Sequence, residues 1–242
     1  MKKMEIKKEH IEEEIKEIFS NNDKIISNHT EKRLDRILED TIGQEIILSA
    51  LLKRSKEVIN DEKIIDGFIY QKILEHKDDK FINKLLVKLP NGIMEMKQTI
   101  KIDYQPLQQS LIRKNFQEAD KLTQKYLCKL VEIKTKSTKN WLYFTDIQFI
   151  PKTELFQIDL LWKIYSGGKF GFSVQKAIWM KYNKQWDKLW EKIKWLEIEN
   201  GIMKRYPKEF TWTTDAPEGH LPLFNQLRGT QTLLYLFKSI DW

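Results

Sequence analysis

The sequence predicts an all-α protein, and three features carry that expectation. Apolar residues recur at three- and four-residue intervals from His10 to Leu89 and again from Leu107 onward, the period of amphipathic helices. Asn, Asp, Gly and Pro punctuate these stretches where helices would end. The one apolar run that could pass for a strand, Trp141 to Ile150, stands alone among helices and reads as an irregular or helical connection. With 242 residues the chain can hold one large domain or two modest ones, either able to bury a core without staples.

The first half divides into successive helices carrying Ile11, Ile15, Ile18 and Phe19; Leu34, Ile37 and Leu38; Ile46, Ile47, Ala50 and Leu51; Ile64 to Ile73; and Phe81 to Leu86. Breaks fall at Asn21-Asn22-Asp23, Gly43, Asn60-Asp61-Glu62 and Pro90-Asn91-Gly92. Residues 1–95 are therefore expected to form a helical bundle, joined through a linker at about Gly92 to Lys101 to a second domain, 103–242. That domain opens with a helical hairpin, Leu107 and Leu111 on one arm and Phe116, Ala119, Leu122, Tyr126 and Leu130 on the other, with Asn115 at the corner. A helix from about Glu154 to Tyr165 buries Leu155, Ile158, Leu161 and Trp162 and stops at Gly167-Gly168, where glycine takes the left-handed conformation. Phe170 and Phe172 flank Gly171 in a turn that either covers a pocket or tucks both rings inward. Ser173 is expected to cap a helix bearing Val174, Ala177 and Ile178, and a further helix carries Trp186, Leu189, Trp190 and Ile193.

Residues 1–100 carry 19 Lys and Arg against 20 Asp and Glu, a net of −1, while 101–242 carry 23 against 15, a net of +8. All eight tryptophans also fall after residue 140, so aromatic material and positive field coincide and point to an anionic, aromatic or large partner. The 36 lysines, 6 arginines and 4 alanines are a skew expected of an AT-rich genome. Signs of catalysis are missing. Gly167-Gly168-Lys169-Phe170-Gly171 lacks phosphate-loop spacing, and His10, His29, His76 and His220 form no metal-ligating pattern. There is no G-x-S-x-G elbow, and Cys128, the single cysteine, lies between Leu127 and Leu130 as a small core residue. No catalytic residue and no metal are therefore expected, and the chain reads as a non-enzyme. No apolar run reaches a membrane span, and the charged start does not resemble a signal or transit peptide.

The stretch from Arg205 to Arg228 holds the clearest functional signal. It is aromatic, interrupted by Pro207, Pro217 and Pro222, and has neither a helical nor a strand period. Tyr206, Phe210 and Trp212 must then line a folded loop. After Pro222 the chain is expected to turn helical, with Asn225 and Arg228 on one face. An aromatic wall beside an amide and a guanidinium suits a flat, hydrophobic anion.

Three motifs carry a resemblance: Gly168-Lys-Phe-Gly-Phe-Ser-Val-Gln175, Tyr206-Pro-Lys-Glu-Phe-Thr-Trp212, and Ala216-Pro-Glu-Gly-His-Leu-Pro-Leu-Phe-Asn-Gln-Leu-Arg-Gly229. With Asp103-Tyr104, Phe116-Gln-Glu-Ala-Asp120 and Trp141-Leu-Tyr-Phe144, they make residues 103–242 similar to the genomes-uncoupled-four family of tetrapyrrole-binding proteins. The first half resembles the bundle that cyanobacterial members carry. The resemblance implies an all-helical domain with a cupped cleft that holds protoporphyrin IX and Mg-protoporphyrin IX and stimulates magnesium chelatase through its large, porphyrin-binding subunit. It implies porphyrin-binding residues at Phe170, Phe172, Val174, Tyr206, Phe210, Trp212, Leu221, Leu223, Asn225, Arg228 and Gln231. In this picture the walls sandwich the macrocycle, while Arg228, with Lys204 or Arg205, meets its propionates. Tyr206 stands where many members place a tryptophan and Gln231 where a second arginine is common, so a looser grip is expected. His220 is read as hydrogen-bonding loop backbone in preference to ligating magnesium. A monomer without a cofactor of its own, able to associate peripherally with a membrane, is expected, and the skewed composition and the resemblance together imply residence in a chloroplast stroma, plastid-encoded, with cyanobacterial cytoplasm as the alternative. The rival reading is a basic helical nucleic-acid-binding module, disfavoured by scarce arginine and the lack of a binding motif.

Overall fold

The computed structural model describes residues 2–20, 25–56, 63–94, 102–197, 202–223 and 230–242. The chain divides into two compact units, Met1–Glu95 and Met96–Trp242. Among the described residues the regular structure is helical apart from one short antiparallel bridge, so the all-α expectation holds.

The first unit contains α1 (Lys2–Ser20), α2 (Asn28–Leu38), α3 (Thr41–Arg54), α4 (Lys63–Leu74) and α5 (Asp79–Lys88). Short polar side chains start three of them: Ser27 accepts from the Thr30 amide, Asp40 from Ile42 and Asp78 from Lys80. Leu34, Ile47, Leu51, Ile69, Ile73 and Leu85 are fully buried and form the core. Each such side chain contributes about 1.5–3 kcal/mol of transfer free energy. Two buried carboxylates are matched by cations. Glu14 takes Arg33 Nε at 2.9 Å and Arg36, while Asp66 takes Arg54 Nε at 2.7 Å and faces Lys63 at 3.7 Å. Burial pushes the Glu14 carboxyl up, but the two guanidiniums hold it below its ordinary value. Ile93 and Met94, expected in a linker, are buried in this unit. The rest of that linker, residues 95–101, lies outside the described residues.

The second unit contains α6 (Gln105–Ile112), α7 (Phe116–Thr135), α8 (Lys152–Tyr165), α9 (Phe172–Lys181), α10 (Trp186–Lys192), strands β1 (Leu196–Glu197) and β2 (Ile202–Met203), and α11 (Thr230–Ser239). Helices α6 and α7 form the expected hairpin, with Lys114 left-handed at the corner and Asn115 capping the Glu118 amide. Leu155, Ile158, Leu161 and Trp162 of α8 are fully buried, and Trp162 Nε1 donates to Thr123 Oγ1 at 2.9 Å. Tyr104 donates to Glu154 at 2.6 Å, closing the unit beneath α6. Trp141 to Ile150 is a turn followed by one 3-10 turn, Ile147–Phe149, as expected of a connection. Helix α9 starts two residues earlier than expected. Gly171, not Ser173, occupies the cap position, because buried Asp159 of α8 accepts the Ser173 amide at 2.9 Å and supplies the acceptor from outside. A Cβ on Gly171 would come within 2.8 Å of Asp159 Oδ1, and its φ of 142° is closed to other residues.

Candidate functional site

Residues 202–223 fold against α9, the segment Ile193–Trp195 that follows α10, and the start of α7, and are held by main-chain and side-chain hydrogen bonds that arrive from far away in sequence. Gly171 donates its amide to Leu221 O at 3.0 Å, and Gly219 donates to Lys169 O at 2.8 Å. Gln175 on α9 donates from one amide nitrogen to both Gly219 O (3.0 Å) and Pro222 O (2.8 Å). Trp195 Nε1 donates to His220 O at 2.7 Å, and the Lys204 amide donates to Trp195 O at 2.9 Å. The Leu223 amide donates to Asp120 Oδ1 of α7 at 2.7 Å, across 103 residues of sequence. Gly219 is required where the loop meets the helices: φ is +75°, and a Cβ would lie 2.7 Å from Ile178 Cδ1.

His220 is fully buried and has both ring nitrogens engaged. Nδ1 lies 2.5 Å from Ile193 O, which can only accept, and Nε2 accepts the Thr211 amide at 3.2 Å. These partners fix the neutral tautomer with its proton on Nδ1, and burial lowers the imidazole's pKa. His220 thus binds loop backbone, and neither nitrogen is left for a metal. Among the described residues no group of three His, Cys, Asp or Glu is placed to hold a metal ion.

The aromatic residues of the loop form a graded set. Phe210 is buried against Trp195 (6.4 Å between ring centres) and His220 (5.5 Å). Trp212 is half-buried, its Nε1 donating to Pro207 O at 2.9 Å, with its ring 6.3 Å from Phe210. Tyr206 stands edge-on to Trp212 at 5.9 Å and remains 42% exposed. Burial and the nearby acids Asp120 and Glu118 raise the Tyr206 phenol's pKa, which sets this ring beside the first turns of α7.

Of the residues expected to bind ligand, Phe170, Phe172 and Leu221 are fully buried, and Phe170 packs 5.3 Å from Phe116 and 6.4 Å from Trp162 in the core. Between the two options for the glycine turn, both rings tuck inward. Val174, Phe210 and Leu223 are nearly buried, so Tyr206 and Trp212 present the accessible aromatic surface, while Gln231 is exposed on α11. Asn225 and Arg228, and the helical turn expected after Pro222, lie outside the described residues; described helix resumes at Thr230. Two contributors carried no role in the sequence. Asp120 was one residue of a motif, and only its 2.7 Å bond to Leu223 reveals that it holds the loop; burial pushes its carboxyl up to about 8 against that bond. Gln175 likewise ended a motif without an assigned task, and no helical period could have shown that it holds two loop carbonyls.

Comparison with known proteins places this arrangement. Over 74% of this chain and 74% of the relative, the sequence is 48% identical to the ycf53 protein of Porphyra purpurea. It is 34% identical, over 52% of this chain and 50% of the relative, to a chloroplastic tetrapyrrole-binding protein of Arabidopsis thaliana. The structure of GUN4 from Chlamydomonas reinhardtii superposes with a TM-score of 0.53 at 38% identity, covering 60% of this chain and 92% of that one. The GUN4-like family profile matches residues 97–239, spanning the hairpin, the anchored loop and α11, and the chain belongs to that family.

Proposed function

We propose that this chain binds protoporphyrin IX and Mg-protoporphyrin IX against the loop of residues 202–223 and, without catalysing a reaction itself, stimulates magnesium chelatase by working with its large subunit. The observation that carries this reading is the pair Tyr206 and Trp212, accessible aromatic rings on a loop whose backbone is tied to α7, to α9 and to Trp195 just beyond α10. A ring site held this way needs little reordering when a flat ligand arrives. The tetrapyrrole-binding relative supports the ligand class, and its chloroplastic name supports a plastid setting. Arg205 and Lys208, both exposed beside Tyr206, supply positive charge for carboxylate tails, and Arg228 is proposed to join them.

Removing roughly 300–500 Å² of apolar surface from water is worth about 8–12 kcal/mol gross. Lost ligand freedom and side-chain ordering offset several kcal/mol, which leaves a dissociation constant of about micromolar. The test is titration with deuteroporphyrin and its magnesium complex. A red-shifted Soret band and tryptophan quenching at near-stoichiometric ratios are expected, together with faster magnesium insertion when the protein is added to chelatase. No spectral change combined with salt-sensitive RNA binding would overturn the reading.

A further inference from the structure

A second surface of the same unit runs along α7 from Lys121 to Lys129 and onto the turn that follows the helix. Lys121, Lys125 and Lys129 repeat every fourth residue along α7 and, with Lys139 and a single acid, Glu132, line an open cleft of about 570 Å³. Lys121 and Lys129 meet Glu118 and Glu132 only at 3.5 Å and 3.4 Å with their own side chains more than half exposed, and no carboxylate among the described residues pairs with Lys125. The cleft therefore carries surplus positive charge. Where it ends, at Lys139 and Asn140, an aromatic shelf begins. Trp141 is 41%, Tyr143 52% and Phe144 41% exposed, and Phe144 leans on Tyr235 of α11 at 5.3 Å.

This shelf is rigid for a loop. Glu132 accepts the Lys139 amide at 2.8 Å, and Asp146 accepts both Lys139 Nζ at 3.0 Å and the Tyr143 amide at 2.9 Å. Exposed aromatic rings on a pre-formed turn beside a basic cleft are the anatomy of a protein interface, with apolar anchors at one end and charge along the rest. Lysines one helical turn apart, about 5.4 Å, match carboxylates at the same pitch on a facing helix. They also line a concavity, which a flat bilayer touches only at its rim.

We infer that the α7 cleft and the Trp141–Phe144 shelf dock an acidic amphipathic helix of a protein partner, apart from the ring site on residues 202–223. Resting on the proposed function, that partner is the large chelatase subunit. The test uses the full chain and two variants, Lys121→Glu/Lys125→Glu/Lys129→Glu and Trp141→Ala/Phe144→Ala, with Lys121→Arg/Lys125→Arg/Lys129→Arg as the conservative control. Three readouts are kept separate: deuteroporphyrin affinity, affinity for the purified large subunit, and half-maximal concentration for chelatase stimulation. Expected are porphyrin affinities within twofold of the parent in all proteins, with subunit affinity reduced at least tenfold in both disruptive variants, the stimulation midpoint raised in step, and the arginine control unchanged. Parent-like subunit binding by either disruptive variant overturns the inference, as does a loss seen only on anionic phosphatidylglycerol vesicles or on RNA. Failure of the parent to bind porphyrin would instead sink the proposed function, and subunit binding would still decide the docking surface.

Discussion

The two units treat buried carboxylates in opposite ways. In the first, Glu14 and Asp66 are each met by a guanidinium, with a second cation close by. In the second, Asp120 and Asp159 are just as deep but are met by N–H donors: the Leu223 amide for one, the Ser173 amide and Trp242 Nε1 for the other. Burial raises the pKa of both acids. An ion pair fixes helices to one another. A carboxyl met by N–H donors fixes a loop or a helix start instead, and burial pushes the Asp120 carboxyl up to about 8.

Breaking a matched pair should have the largest effect. Arg54→Ala leaves fully buried Asp66 short of its nearest cation and should cost about 3–5 kcal/mol. Because every tryptophan lies beyond residue 140, urea unfolding followed by circular dichroism should show an early transition in the first unit while tryptophan emission keeps its parent midpoint. A shared shift in both signals would show that the units do not respond separately. Next comes His220→Phe, which keeps a flat ring, slightly larger and apolar, but strands the Thr211 amide and Ile193 carbonyl. About 1–3 kcal/mol should be lost from the fluorescence-detected transition.

The third experiment reads the amide-held acid through pH. The unfolded chain loses the Asp120 proton near 3.8, whereas the native state keeps it to about 8. Between those values the native state binds the extra proton, so stability of the second unit falls as pH rises. His220 acts with the opposite sign: its lowered pKa means stability is lost as pH drops through 6.5, and this contribution fades as pH rises toward 8. Asp120→Asn should flatten the decline between pH 6.5 and 8, and a slope identical to the parent's would remove Asp120 as its source. The smallest effect on folding belongs to Tyr206→Ala, within about 0.5 kcal/mol for a ring this exposed. The same change should weaken deuteroporphyrin binding by about tenfold, roughly 1.4 kcal/mol. Tyr206→Trp should strengthen it.

Legibility in the sequence followed the range of the interaction. Helices α6, α7 and α8 could be placed from apolar spacing and from Asn115 and Gly167-Gly168, because those signals act within a turn or two. The aromatic loop stood out because three prolines and no period leave few alternatives. Its anchors did not stand out. Gln175 reaches 44 and 47 residues ahead, and Asp120 reaches 103, distances at which no local pattern selects the partner. The start of α9 was misplaced for the same reason, since the acceptor that caps it comes from Asp159, fourteen residues back on another helix. Phe170 and Phe172 read equally well as pocket or core, and only the packing of Phe170 on Phe116 and Trp162 and the full burial of both rings decide it.

One feature of the second unit bears on how its solution spectra should be interpreted. Trp190 lies parallel to Trp195, 7° apart in plane and 5.3 Å between centres, and Trp186 stacks on Trp190 at 5.4 Å with Trp179 a further 4.9 Å away. Indoles this close share their excited states, so their ultraviolet transitions couple as excitons instead of adding independently. Ellipticity near the aromatic bands then carries a signature of ring geometry superimposed on the helical signal, and a helix content taken from one wavelength would be misjudged. That same coupling makes the chiroptical spectrum a gauge of the Trp195 anchor, because any shift of the loop that tilts this indole changes the couplet before a single helix unwinds.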